Sequence, residues 1–146
     1  IQIGSKKICL DLESMGITRN KSLTIVLPKI PKKYFGDFLR GYFDGDGSVN
    51  IGRYWRKDRA QYKYVFSVRF TSGSIVFLKQ LHEELGQHVE HGGYINTKNR
   101  GYDLVFSLND GIEIFKLMYH NGVSGLYLKR KFDTFQKAFA IMNKRA

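Results

Sequence analysis

Ten residues, Phe38-Leu39-Arg40-Gly41-Tyr42-Phe43-Asp44-Gly45-Asp46-Gly47, constrain this chain more than any others. Phe35, Phe38, Leu39, Tyr42 and Phe43 fall at i, i+3, i+4, i+7 and i+8, one face of an α-helix beginning near Pro31, and that face is expected to be buried. Gly41 and Gly45 lie four apart on another side, where the missing Cβ lets a second helix come close. Inside a helix each glycine costs about 1 kcal/mol relative to alanine, so the pair needs a packing reason. Gly45 and Gly47 favour termination, and Ser48-Val49-Asn50-Ile51 alternates like a strand. Asp46 is left at the helix's C-terminal end, which is already partly negative. A carboxylate there calls for a nearby cation, which a bound divalent metal ion would supply.

Other readings of the same residues compete. Asp-Gly-Asp-Gly also suits an ordinary turn. An EF-hand loop using Asp44, Asp46 and Ser48 would place Val49 where glycine is required and Trp55 where glutamate is required, and is rejected. The glycines follow a helix and precede a strand, the reverse of a dinucleotide-binding fingerprint. Leu39 to Gly47, LRGYFDGDG, resembles the nine-residue motif that names the LAGLIDADG homing endonucleases. Leu39, Gly41, Asp44, Asp46 and Gly47 match its letters, and Gly45 is a common replacement for its alanine. Arg40, Tyr42 and Phe43 depart from the letters, Arg40 alone in character.

With 146 residues, 42% hydrophobic, the chain can bury one core of ordinary size. Its 24 Lys and Arg against 13 Asp and Glu give a net charge of +11, which points to a polyanionic partner, nucleic acid first. The single cysteine, Cys9, excludes an intramolecular disulfide framework and suits a reducing compartment. No segment approaches the roughly 20 apolar residues of a membrane span, and a soluble intracellular protein is expected. The chain opens at Ile1 without methionine, as a processed product or a fragment would.

Residues 1–33 read as an N-terminal extension, with Ser5 capping a short helix of apolar Ile8, Cys9, Leu12 and Met15 that Gly16 closes, followed by a basic connection through Pro28 and Pro31. Residues 34–146 read as one domain. Ser48 to Arg56 is a first strand. From Tyr62 to Phe70, Tyr62, Tyr64, Phe66, Val68 and Phe70 alternate with Lys63, Val65, Ser67 and Arg69, one face packed and the other open and basic. Ser74 caps a helix running to Gly86. Strand signals recur near Val89 to Thr97 and Tyr102 to Leu108, and helices over Gly111 to His120 and Tyr127 to Met142. The expected fold is α+β, ordered αββαββα, a twisted four-stranded antiparallel sheet with helices on one face and an open basic face that a DNA major groove can accept.

That order is also the one implied by the resemblance, which covers roughly Pro31 to Ala146. It implies a site-specific double-stranded DNA endonuclease hydrolysing phosphodiester bonds with Mg²⁺ or another divalent cation at Asp46 and Gly45. It also implies a catalytic lysine on the basic segment opening the last helix, best matched by Lys129, with Lys131 an alternative. Ser5 to Lys21 repeats the layout of Ile112 to Lys129, so residues 1–33 read as the tail of a preceding repeat in which Lys21 stands for Lys129. One Asp46 cannot form a two-metal site, so a second motif helix is needed, packed through Gly41 and Gly45 with Leu39 and Tyr42 beside them. It comes from a homodimer, the favoured reading, or from a preceding repeat. DNA contacts are expected from Asn50, Tyr54, Arg56, Arg59, Lys63, Ser67, Arg69, Lys98, Arg100 and Asp103. The alternative is a non-cleaving binding module on the same scaffold, an intron RNA-splicing maturase or a DNA-binding regulator. His82, His88, His91 and His120 with one distant cysteine do not read as a zinc site.

Overall fold

A computed structural model describes residues 4–14, 21–119 and 125–143. After helix α1 (Lys6–Ser14) and a segment with a 3₁₀ turn at Lys21–Leu23 come α2 (Phe35–Asp46), β1 (Gly47–Arg56), β2 (Gln61–Ser72), α3 (Ile75–Leu85), β3 (Tyr94–Lys98), β4 (Gly101–Ser107), α4 (Leu108–Met118) and α5 (Lys129–Asn143). The four strands form one antiparallel sheet in the order β1-β2-β4-β3. Helices α2, α3, α4 and α5 pack on one face of it. The α+β layout is as expected from the hydrophobic periods.

The apolar stripe of α2 sends Phe35, Leu39 and Phe43 into the core, where they meet Phe66, Val68 and Phe70 of β2, Leu104 and Phe106 of β4, and Phe135 of α5. Phe43 lies 5.8 Å from Phe70 and 5.6 Å from Phe135, centroid to centroid. Burial of each such ring contributes about 1.5–3 kcal/mol. Where α4 crosses the sheet, a Cβ on Gly111 would stand 2.7 Å from the Phe66 ring, so only glycine permits that approach. At the other end of the core Ser74 caps α3, accepting from the Phe77 amide at 3.2 Å.

Several expectations change. Pro31 leads first into a 3₁₀ turn, Lys32–Tyr34, and α2 begins at Phe35. The strand expected over Val89 to Thr97 is confined to β3. Gly92 and Gly93 turn the chain through φ of 85° and 68°, and the Asp110 carboxylate takes the Glu90 and His91 amides in place of a ladder. Helix α4 starts at Leu108, itself left-handed at φ 41°, a conformation costing an L residue roughly 1–2 kcal/mol. Tyr62 does not join the core, because the β1–β2 hairpin runs past the helix layer. There it packs edge-on to Trp55 with the Arg53 guanidinium 4.0 Å from its ring.

In the N-terminal extension Ser5 does cap its helix, accepting from the Ile8 amide at 3.3 Å. The stripe meant for burial is exposed at Ile8, Cys9 and Leu12, and no described residue of α1 is buried. Met15, Gly16, Arg19, Asn20, His120, residues 121–124 and Ala146 lie outside the described residues. The connection that follows is attached to the domain. Ser74 donates to the Ile25 carbonyl at 2.7 Å, the Leu27 amide donates to Gln80 at 2.9 Å, and Ile25, Leu27 and Ile30 pack on the core.

Candidate active site

Helix α2 ends abruptly because Gly47 turns straight into β1, and a Cβ there would lie 2.3 Å from the Phe43 ring. The terminal carbonyls of a helix need donors. Lys131 of α5, only 5% exposed, supplies them: its ammonium donates to the carbonyls of Phe43 at 2.6 Å, Asp44 at 3.0 Å and Gly47 at 2.6 Å. All three of its hydrogens are thereby placed. Burial pushes this ammonium below the ordinary lysine value, Arg130 adds to the shift, and Asp44 and Asp46 oppose it. The cation required at this helix end is therefore Lys131, and the end's charge does not by itself call for a metal ion.

The two motif carboxylates part company here. Asp44 turns inward, accepting from the Leu128 amide at 2.8 Å. Among the described residues its other oxygen is buried without a hydrogen-bond partner, as is the Tyr119 hydroxyl. Burial and the charge of Asp44 hold Tyr119 above the usual tyrosine range. Arg40, out of character with the motif, is locked in the same seam. It donates to Met118 O at 2.8 Å and Leu126 O at 3.1 Å, and pairs with Asp37 at 2.8 Å. Asp46, in contrast, is exposed, and among the described residues its carboxylate makes no hydrogen bond or salt bridge.

Asp46 stands between two clefts. One, of about 540 Å³, is lined also by Ser48, Asn50, Thr71, Arg130 and Lys131. The other, of about 270 Å³, brings it together with Ser22, Tyr42 and Thr71. Lys129, the best sequence match for a catalytic lysine, is not in either. It is exposed and drawn to Asp133 at 2.7 Å, whose hydrogen bond raises its pKa. The positions beside Asp46 belong to Arg130 and Lys131, one and two residues on. Lys21 opens the 3₁₀ turn next to Ser22, and its side chain lies outside what is described.

On the outer side of α2, a Cβ on Gly41 or Gly45 would meet nothing within 4 Å among the described residues, so the notch is open to them. Leu39, grouped with it from sequence, is fully buried in its own core and unavailable to a partner. Tyr42 is half-buried, donates to Thr71 O at 2.5 Å and packs on Phe77. Burial lifts its pKa to about 12, a Ser72 hydrogen bond opposes this, and the charge of Asp46 adds to it.

Register aligns the residues of the sheet face turned away from the helices. Tyr54 opposes Lys63, Asn50 opposes Ser67, Ser48 opposes Arg69, and Thr71 opposes Asp103. Asn50, Tyr54, Arg56, Lys63, Arg69, Lys98 and Asp103 share that face, and Arg59 and Arg100 lie in its hairpin turns. Ser67, a small side chain on a central strand between Asn50 and Ser107, is 5% exposed and is not available for contact. Arg56 is paired with Asp58. Asp103 accepts from Thr71 at 2.6 Å and Lys98 at 2.7 Å; burial raises its pKa, but these donors and Arg69 outweigh that and hold it below the carboxylate norm. Sequence reading missed Thr71, which links Tyr42 to Asp103. Its signal was the alternation of β2 carried one residue past Phe70. Tyr94 and Asn96 were missed because β3 was drawn too long.

Solved structures share this fold. The homing endonuclease I-TnaI superposes with a TM-score of 0.57 at 17% identity over 75% of this chain and 74% of its own. The LAGLIDADG homing endonuclease I-GzeII, in complex with its DNA target, gives 0.57 at 19% over 75% of this chain and 36% of its own. The fold is that of the LAGLIDADG homing endonucleases. A third of these, I-LtrWI bound to target DNA, gives 0.56 at 17% identity and matches 99% of this chain, which spans 47% of that protein. No family model matches the sequence, and neither does any curated protein. Among the described residues no helix is long and apolar enough to cross a membrane. Nor, among them, are three or more His, Cys, Asp or Glu side chains grouped to hold a metal ion.

Proposed function

We propose that this chain is a site-specific, divalent-metal-dependent DNA endonuclease of the LAGLIDADG type, active as two copies of the domain joined along α2. The observation that carries this reading is the bare side of α2, a notch at Gly41 and Gly45 that ends on an uncommitted carboxylate, Asp46, beside a polar cleft. An exposed carboxylate with the Gly45 carbonyl next to it fits Mg²⁺, which keeps several waters and needs only one or two protein ligands when substrate phosphates complete its shell. One copy offers Asp46 alone. A second copy, from another chain or an earlier part of the same polypeptide, supplies its twin.

When bound, divalent cations at this place neutralise charge at phosphorus, lower the pKa of an attacking water and stabilise the leaving oxygen. The chain's own residues do the rest. Lys131 fixes the end of α2 and so the position of Asp46. Arg130 adds positive charge on the cleft where a scissile phosphate would lie. Lys63 and Arg69, with Lys98, Arg59 and Arg100 around them, hold the duplex on the sheet by phosphate contacts, and Asn50 and Tyr54 reach base edges.

Selection of cleaved members from a randomised duplex library with Mg²⁺ tests this. Wild type is expected to cut a defined sequence, and Asp46→Asn to bind the same duplex with cutting lost. Binding by wild type with no member ever cut favours a maturase or regulator. Affinity for duplex is expected to fall steeply with salt, log affinity against log salt having a slope near −0.9 per phosphate contacted.

A further inference from the structure

Strand β4 ends at Ser107, opposite Ser67, while β1 and β2 run on to Arg56 and Gln61. In the step this leaves lies a cavity of about 310 Å³ between the His91–Gly93 loop, Tyr94 and the start of α4. Tyr94 pairs with Val105, Val105 with Arg69 and Arg69 with Ser48, so the cavity opens on the basic face of the sheet, across it from the β1 strand that follows Asp46. The cutting reaction makes no use of it. We propose that it receives a single nucleobase, unstacked from the DNA lying on the sheet, an inference that rests on that face being the DNA face.

Its walls have the character of a base pocket. The Tyr94 ring and the Leu108 side chain are each about half exposed, at 50% and 53%, and give an aromatic and an apolar surface against which a flat ring can stack. Asn109 and His91 bring donors and acceptors to the edge, and the Ser107 hydroxyl makes no capping bond with α4. Among the described residues no lysine or arginine lines the cavity, and the Asp110 carboxylate on its wall is unfavourable to an anion, so a phosphate is not its ligand. At about 300 Å³ it is at the lower end for small-molecule pockets and suits one base.

The cavity is also built before anything enters it. Asp110, 2% exposed, accepts the amides of Glu90 at 3.2 Å and His91 at 3.1 Å, and its oxygen lies 3.4 Å from His91 Nδ1. The His82 ring bonds the Gly92 carbonyl. Gly93 keeps the floor open, since a Cβ there would stand 2.6 Å from the Phe106 ring. Leu108 holds a left-handed backbone that glycine would adopt without strain, yet presents a large apolar side chain at the mouth. A strained residue at such a place, shaped like the apolar wedges that part base steps, separates this cavity from a packing defect.

The full chain, labelled with ¹⁵N, is titrated with thymidine and 2′-deoxyadenosine, neutral probes that give the basic face no charge to hold. Saturable amide shifts are expected at Gly93, Tyr94, Leu108 and Asn109, with affinity about tenfold weaker in Leu108→Gly, a variant that relieves the backbone and folds. Duplexes of arbitrary sequence with one central mismatch are expected to bind about tenfold tighter than paired duplexes at the same salt, because unpairing is already done, and Leu108→Gly to lose the preference. Nucleosides that shift no pocket amide, or shift them equally in Leu108→Gly, overturn the proposal. Pocket shifts without any duplex binding overturn its DNA source and the function proposed above, whereas a missing pocket response with intact duplex cutting overturns the pocket alone.

Discussion

The two sides of α2 are made differently. On one, Phe35, Leu39 and Phe43 are closed over by β2, β4 and α5. On the other, Gly41 and Gly45 face open space. Both sides belong to twelve consecutive residues, so helix propensity cannot explain the contrast. Where the chain completes its own packing it uses large aromatic rings. Where it leaves the helix bare it has also removed the side chains, at a cost to helix stability, and this is the side that ends on Asp46. The difference supports the proposal that the glycine side is a surface kept for a second copy of the helix.

The contrast can be broken by substitution. Phe43→Ala is expected to lose about 3–5 kcal/mol in denaturant unfolding, the range for a large core aromatic. Lys131→Met removes the ammonium from the carbonyls of Phe43, Asp44 and Gly47 and is expected to lose about 1–3 kcal/mol, since Lys131 is only 5% exposed. Lys129→Met, at a solvated pair, is expected to leave stability unchanged. Gly45→Ala is expected to gain up to about 1 kcal/mol for the single domain while weakening any pairing of domains. A loss from Gly45→Ala comparable to that from Phe43→Ala would remove the distinction between the two sides.

A smaller effect is expected at alkaline pH. The Tyr42 pKa is raised to about 12 in the fold, above the ordinary 10.0, so its contribution is full below pH 10 and is lost as pH rises from 10 towards 12. Unfolding of Tyr42→Phe followed across that window should fall less than wild type. Tyr119, raised by the same cause of burial, supplies part of the remaining fall.

Most of the fold was legible because its signals are periodic: the α2 stripe, the alternation in β2 and the Ser74 cap all depend on local spacing. The errors arose where a tertiary contact decided. The reach of β3 was set by the Asp110 carboxylate nineteen and twenty residues away from the amides it holds, as their separations show. Lys129 and its alternative Lys131 are equally basic in sequence, and only the crossing of α5 over the end of α2 sends Lys131 inward. Ser67 alternates with the open face, yet on a central strand between Asn50 and Ser107 it is only 5% exposed. Asp46 itself was legible, since an acid at a helix end followed by glycine needs no distant partner to be noticed.

The central claim is that two α2 helices meet at their glycine notch. A Gly45→Cys chain carrying Cys9→Ser, oxidised on duplex DNA, tests it directly, because a disulfide forms only when the two Cα atoms come within about 4.4–6.8 Å. A cross-linked dimer, reversed by reductant, is the predicted result. A chain that binds DNA, remains folded and yields only monomer would contradict the account.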